Sequence, residues 1–279
     1  MTDARTNAKY DRLKTALDGL GSVCVAFSGG VDSTFLLRVA RDVLGPKVLA
    51  VTASSETYPS AELKTAEELA DAMGIEHVVI STSELTIPGF RLNPPDRCYH
   101  CKRELFAKVR QVAEQHGIAQ VADGSNADDV NDYRPGARAS EELGVLAPLR
   151  DAGLTKGDIR ALSRELGLPT WNKPAYACLA SRFPYGDEIT PEALTMVERA
   201  EGVLHELGFG QCRVRHHGHM ARIEVEPQLV QRLASSECAG AVVQRLKALG
   251  YRYVTLDLQG YRTGSMNEGL PLEGGGHDR

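Results

Sequence analysis

The string Ser28-Gly29-Gly30-Val31-Asp32-Ser33 sits between a short apolar run, Val23 to Phe27, and a segment with apolar residues at Leu36, Leu37, Val39 and Ala40. The first run suits a buried parallel strand and the later spacing suits a helix. A strand that passes through glycines into a helix N-terminus is an anion site. Glycine lets the backbone approach a ligand, free N–H groups point outward, and the helix dipole favours negative charge. Neither common phosphate loop fits. A Walker A loop needs Gly-Lys-Ser/Thr after its glycines, a dinucleotide fingerprint needs GxGxxG, and the next lysine here is Lys47.

Two further stretches carry reactive groups. Residues 123–139, DGSNADDVNDYRPGARA, crowd Asp123, Asp128, Asp129 and Asp132 into one loop. Hard oxygen donors suit magnesium on phosphates, with Arg134 and Arg138 placed to neutralise an anion; a solvated loop of Asx turns is the plainer reading. Cys178 lies among small residues between Pro174 and Pro184, with Ser181 and Arg182 after it. Arg182 at that spacing can lower a thiol pKa; an inert buried cysteine is the alternative.

The elements that must position these groups read as strands alternating with helices. Strands are expected at 23–27, 48–53, 77–80 and 119–122, with helices over 8–20, 60–73 (Ser60 as N-cap), 96–116 and 157–166. That order predicts a doubly wound parallel sheet with its ligand loops at the strand ends. The end of the second strand, Thr52 and Ala53, then lies beside the glycine turn, where its backbone can meet an adenine ring. After Thr190-Pro191, an N-cap with proline at the first helical position, the pattern changes to α+β: a helix to about 207, strands at 212–216 and 220–225, a helical region at 228–249 and a last strand at 251–258. We therefore expect domains at 1–187 and 188–267 and a disordered tail at 268–279.

Bulk properties narrow the function. The chain has 279 residues, 42% of them hydrophobic and 25% charged, and a formal net charge of −5. No basic excess points to long nucleic acid as a partner. No apolar stretch is long enough to span a membrane, and the polar start is unlike a signal peptide. Six cysteines do not make a disulfide scaffold in a chain of this length, so a cytoplasmic location with reduced thiols is expected.

SGGVDS resembles the pyrophosphate loop of the PP-loop ATP pyrophosphatases, enzymes that split ATP between the α and β phosphates and leave AMP on a substrate oxygen. The resemblance implies that Ser28, Gly29, Gly30, Asp32 and Ser33 hold phosphates and magnesium, with Thr52, Ala53, Gly124 and Asn126 completing the nucleotide site and Asp128 and Asp129 as magnesium ligands. With DGSNADDVNDYRPG, CLASRFPYG, RVRHHGHMARIEV and GYRTGSMNE in this order, residues 10–268 resemble the LarE-type sulfur transferases of nickel-pincer nucleotide biosynthesis. That family acts on pyridinium-3,5-biscarboxylic acid mononucleotide. The resemblance puts Cys178 at the sulfur-donor position, assigns Ser181, Arg182, Arg213, Arg215 and Arg262 to the substrate phosphate, and suggests a homo-oligomer.

Cys98-Tyr99-His100-Cys101 complicates the sulfur source. The pair suits a redox dithiol, part of a zinc site with His100 or His116, a structural role, or, with Cys178, three ligands of a [4Fe–4S] cluster whose open iron carries sulfide. Sulfur thus comes either from Cys178 itself or from such a cluster. His216, His217 and His219 read as an exposed turn or an accessory metal site. Trp171 and Tyr176 are placed to stack on a pyridinium ring or to pack in the core. An amidating relative of NAD synthase and a tRNA-thiolating enzyme are the competing functions, and a non-catalytic nucleotide-binding or iron–sulfur protein is a third.

Overall fold

The computed structural model describes residues 2–131, 135–174, 177–262 and 264–265. The expectations for Asp132, Arg134, Tyr176 and the tail from 268 lie outside the described residues. Two compact units form. One holds the residues up to Phe90 with Pro94–Cys178, and the other holds Arg91–Asn93 with the residues from Leu179 onward. The division between Cys178 and Leu179 differs from the boundary expected at 187.

The first unit contains helices α1 (Ala4–Asp18), α2 (Val31–Leu44), α3 (Ser60–Ala72), α4 (Arg97–Gln115), α5 (Pro135–Glu142), α6 (Pro148–Asp151) and α7 (Lys156–Glu165), and strands β1 (Val23–Ala26), β2 (Val48–Ser54), β3 (Glu76–Ser81) and β4 (Val121–Ala122). The strands make one parallel sheet in the order β3-β2-β1-β4. Side chains alternate across it, as a period of two requires. Val23, Val25, Val48 and Ala50 join Leu13, Leu17, Phe35 and Leu36 on one face, while Cys24, Leu49 and Val51 join Phe106 and Val109 of α4 on the other. Both faces are covered, the arrangement a sheet of parallel strands needs. α7 starts in a capping box: the Thr155 hydroxyl accepts from the Asp158 backbone while the Asp158 carboxylate accepts from the Thr155 backbone.

Two local expectations change. Pro59, not Ser60, is the N-cap of α3; the Glu62 N–H bonds the Pro59 carbonyl, so Ser60 is already helical. β4 is only two residues long, and its edge is completed by Leu146, bridged to Ala122. His77 is half-buried and its imidazole is tied to β2 by Nε2 to Thr52 Oγ1 at 2.8 Å.

The second unit contains α8 (Pro191–Glu206), β5 (Cys212–His217), β6 (Met220–Val225), α9 (Val230–Leu233), α10 (Ser236–Ala248) and β7 (Tyr253–Leu256). Thr190 caps α8 through its hydroxyl and Pro191 opens it. β5 and β6 form an antiparallel hairpin, and β7 pairs parallel to β6 after the helical crossover. The helical region is not continuous: Ala234 and Ser235 separate α9 from α10. Phe209, Val214, Ile223, Leu246 and Tyr251 build this unit's own core. Among the described residues no helix is long and apolar enough to cross a membrane.

Candidate active site

The glycine turn does what its composition suggests. Gly30 is the N-cap of α2 with extended φ and ψ, and Asp32 stands in the first turn of that helix. Gly29 has φ +62°, and a Cβ there would lie 3.3 Å from Ala66 of α3. Ser28 and Ser33 hold each other, Oγ to Oγ, at 3.0 Å. The loop after β4 comes so close to the start of α2 that a Cβ on Gly124 would lie 2.9 Å from the Ser33 nitrogen; only glycine fits without backbone movement.

These elements wall a cavity of about 490 Å³, of the size that holds small-molecule ligands. Ser28, Gly30, Asp32 and Ser33 line it from the turn, Thr52 and Ala53 from the end of β2, and Gly124 and Asp129 from the loop after β4. Cys178 lines the same cavity. Thr52 Oγ1 donates to the Phe27 carbonyl at 2.7 Å, so it accepts from His77 Nε2. Burial holds His77 below the usual imidazole pKa.

The carboxylates separate into two roles. Asp32 Oδ2 accepts from the Lys156 ammonium at 2.6 Å and from Asn126 at 3.4 Å, while buried Oδ1 has no partner among the described residues. Burial pushes the Asp32 pKa up, and Lys156 pulls against it. Asp128 faces elsewhere: its Oδ2 accepts from the Lys156 backbone N–H at the start of α7. Asn126 organises the loop through its side-chain Oδ1, which accepts from the Asp128 backbone N–H, and through its own backbone N–H, which donates to Asp129 Oδ2.

Cys98 and Cys101 sit in the first turns of α4. Desolvation pushes both thiols up, and Cys178 adds to the rise in each case. The three sulfurs therefore share one electrostatic neighbourhood. Among the described residues, however, no three His, Cys, Asp or Glu side chains form a group able to hold a metal ion. Cys24 is a core residue, its thiol pushed up to about 12 by burial.

The basic residues of the second unit are arranged around glutamates. Arg182 is fully buried and donates Nε and Nη2 to Glu201 at 2.9 and 2.7 Å. Arg215 makes the same fork to Glu224 at 3.0 and 2.7 Å, and its Nη1 reaches the Ser181 carbonyl. Arg213 is buried beside them, its guanidinium 5.1 Å from the Tyr261 ring centre. Burial first, then Arg182, presses its pKa below the usual arginine value. Arg262 lies 3.7 Å from Asp257. His216 is not exposed: its Nδ1 meets the Tyr251 hydroxyl at 3.1 Å and its ring packs on Phe183, while His219 remains exposed. Trp171 is half-exposed, with the Arg164 guanidinium over its ring at 5.2 Å.

Comparison with known proteins decides between the candidate functions. A family model described as asparagine synthase matches residues 10–99. An uncharacterised protein of Synechocystis sp. is 43% identical over 94% of this chain and 98% of its own length. The pyridinium-3,5-bisthiocarboxylic acid mononucleotide synthase of Lactiplantibacillus plantarum is 42% identical over 94% of this chain and 95% of its own. The chain belongs to the pyridinium-3,5-bisthiocarboxylic acid mononucleotide synthase family.

A synthase of this family is an ATP-using, sulfur-transferring enzyme with a PP-loop. A more partial match is the argininosuccinate synthase of Haloarcula marismortui, 33% identical over 54% of this chain and 39% of its own. Three lysines of the synthase cavity had no signal in the sequence. Besides Lys156, Lys102 lies 3.8 Å from Asp123, and Lys173 bonds both Glu62 and the Gly29 carbonyl. No spacing rule marks them, because each comes from a different loop or helix.

Proposed function

We propose that this chain adenylates a carboxylate of pyridinium-3,5-biscarboxylic acid mononucleotide and replaces its oxygen with sulfur. The observation that carries the reading is that Cys178 and the glycine turn line one cavity. A carboxylate is inert to thiols because its leaving group is oxide. Transfer of AMP from ATP, with loss of pyrophosphate, makes an acyl adenylate. The Cys178 thiolate attacks the acyl carbon and AMP departs, leaving a thioester. A base then takes the Cys178 Cα proton, the Cβ–S bond breaks, and the substrate keeps the sulfur as a thiocarboxylate while residue 178 becomes dehydroalanine.

Ser28, Gly29, Gly30 and Ser33 hold the phosphates at the start of α2. Thr52 and Ala53 take the adenine, and Gly124 and Asn126 shape the loop against the turn. Magnesium fits the donors present: Asp32 Oδ1 is buried with no partner among the described residues, and Asp129 lines the same cavity. Asp32 and Asp129 would hold it, and it would neutralise the leaving pyrophosphate. Asp128, turned to the start of α7, is the weaker candidate. Among the described residues of the second unit the guanidiniums of Arg182, Arg213, Arg215, Arg222 and Arg262 gather near the carboxylates of Glu201, Glu224 and Asp257. A gathering of guanidiniums suits a phosphate dianion. Arg182 and Arg215 are forked onto glutamates and bonded to Ser181, and Arg213 and Arg262 are the proposed direct contacts to that phosphate.

A second sulfur source is favoured by the charge that Cys98 and Cys101 each feel from Cys178. A [4Fe–4S] cluster on these three would supply a transferable sulfide at its open iron. Among the described residues the thiols as placed form no three-ligand group.

The test is incubation of anaerobically purified protein with ATP, magnesium and the biscarboxylate nucleotide. Pyrophosphate release, a thiolated product and a mass loss of about 34 Da, the H₂S leaving cysteine, identify Cys178 as donor. Thiolated product with unchanged mass and a visible iron–sulfur absorption identifies the cluster. Product formation by Cys178→Ala would end both readings.

A further inference from the structure

The turn that the proposed function assigns to phosphate has two carbonyls that point away from any ligand role, and each is held by a side chain. The Tyr58 hydroxyl donates to the Ser28 carbonyl at 2.8 Å. The Lys173 ammonium donates to the Gly29 carbonyl at 3.1 Å and to Glu62 Oε2 at 2.7 Å. Among the described residues no peptide bond is cis, and in a planar trans peptide the N–H lies opposite the C=O. Fixing the Ser28 and Gly29 carbonyls on one side therefore turns the N–H groups of Gly29 and Gly30 to the other. Neither N–H meets an acceptor among the described residues. Two adjacent outward N–H groups ahead of a helix N-terminus are an anion nest.

The alternative orientation is accessible to this sequence. A glycine pair crosses freely between φ regions, so the plane of the Gly29–Gly30 peptide can flip, which would put a carbonyl where a phosphate oxygen belongs. We propose that Tyr58 and Lys173 are positioning residues that hold the two peptide planes of the turn in the phosphate-receiving orientation. Glu62 completes the device by keeping the Lys173 ammonium in place from the first turn of α3. Lys173 is also five residues before Cys178, so one ammonium links the phosphate turn to the segment that carries the sulfur donor. The inference rests on the nucleotide reading of the cavity.

The experiment compares inorganic pyrophosphate and adenosine as ligands, by titration calorimetry, in Tyr58→Phe and in the charge-neutral double variant Lys173→Met with Glu62→Gln. Tyr58→Phe removes one hydrogen bond and no charge, so it separates positioning from simple attraction. Pyrophosphate affinity should fall about tenfold in each variant, the effect of one lost hydrogen bond to a group that must stay ordered. Adenosine affinity and the urea midpoint should stay at the wild-type value, and Lys173→Arg should restore part of the pyrophosphate binding. Unchanged pyrophosphate binding in both variants, or equal loss of both ligands, overturns the inference while leaving the nucleotide reading intact. Wild-type protein that binds neither ligand overturns the nucleotide reading and the inference with it.

Discussion

The Lys156 ammonium lies 2.6 Å from Asp32 Oδ2, although 124 residues separate them. It neutralises one oxygen of a buried carboxylate and leaves the other, Oδ1, unpaired among the described residues. Lys156 offsets part of the cost of burying that carboxylate, and Oδ1 is the oxygen left to meet a second cation.

Replacing Asp32 with Asn should therefore act on the metal rather than on the fold. We expect kcat/KM for pyrophosphate release to fall about 100-fold, the scale of losing one charged ligand at a phosphoryl site. The magnesium dependence should move to higher concentration while the unfolding midpoint stays close to wild type. Equal magnesium curves for the two proteins would remove Asp32 from the metal site.

The Arg182–Glu201 fork makes a different kind of prediction. Both side chains are buried, and Glu201 Oε1 also accepts from the Val214 backbone. Arg182→Met strands a buried carboxylate and should cost about 3–5 kcal/mol. Removing both charges in Arg182→Met with Glu201→Gln should recover a large part of that loss, measured by urea denaturation. An Arg182→Met protein as stable as wild type would mean that the arginine is held for a ligand and not for the fold.

Acid should weaken the junction of α1 and α7. Asp158 is opposed by burial, but bonds from the Lys9 ammonium, from the Thr155 backbone and hydroxyl and from the Thr6 hydroxyl outweigh it and hold its carboxyl well below the usual range. A depressed folded pKa contributes stability that is present above the unfolded value of about 3.9 and is lost as pH falls toward the folded one. Asp158→Ala should cost about 1–2 kcal/mol at pH 7. The gap between variant and wild type in denaturant titrations should close progressively below about pH 4. A gap that is constant from pH 7 to pH 3 would show that the bonds do not depend on the carboxylate charge.

Local chemistry was legible where one segment carries both the signal and its partner. Gly29, Gly30 and Asp32 lie on a single strand–turn–helix, and Thr190 with Pro191 writes a helix start in two letters. The unbroken apolar runs of β1 and β2 announced a sheet covered on both faces. Contacts between distant segments were not legible. Nothing in the spacing ties Lys173 to Gly29, Tyr58 to Ser28 or Arg182 to Glu201. Asp128 and Asp129 are neighbours of one type, and only the direction of their side chains separates a helix-start contact from a cavity wall. The half-buried His216 was hidden for a similar reason, since Tyr251 and Phe183 come from outside its hairpin.

The three residues Arg91–Asn93 belong to the second unit although the chain on either side of them belongs to the first. Asn93, at φ 51°, gives its amide to the carbonyls of Phe183 and Pro184 and accepts from Gly186, while the Arg91 carbonyl accepts from Ile189. No single cut can therefore separate the gene into two self-sufficient halves. A fragment beginning at Leu179 would lack the amide that ties its own first loop. A recombination event that moved this unit onto another nucleotide-binding scaffold would have to carry a three-residue insert from the host along with it, a constraint that binds the two modules into one heritable piece.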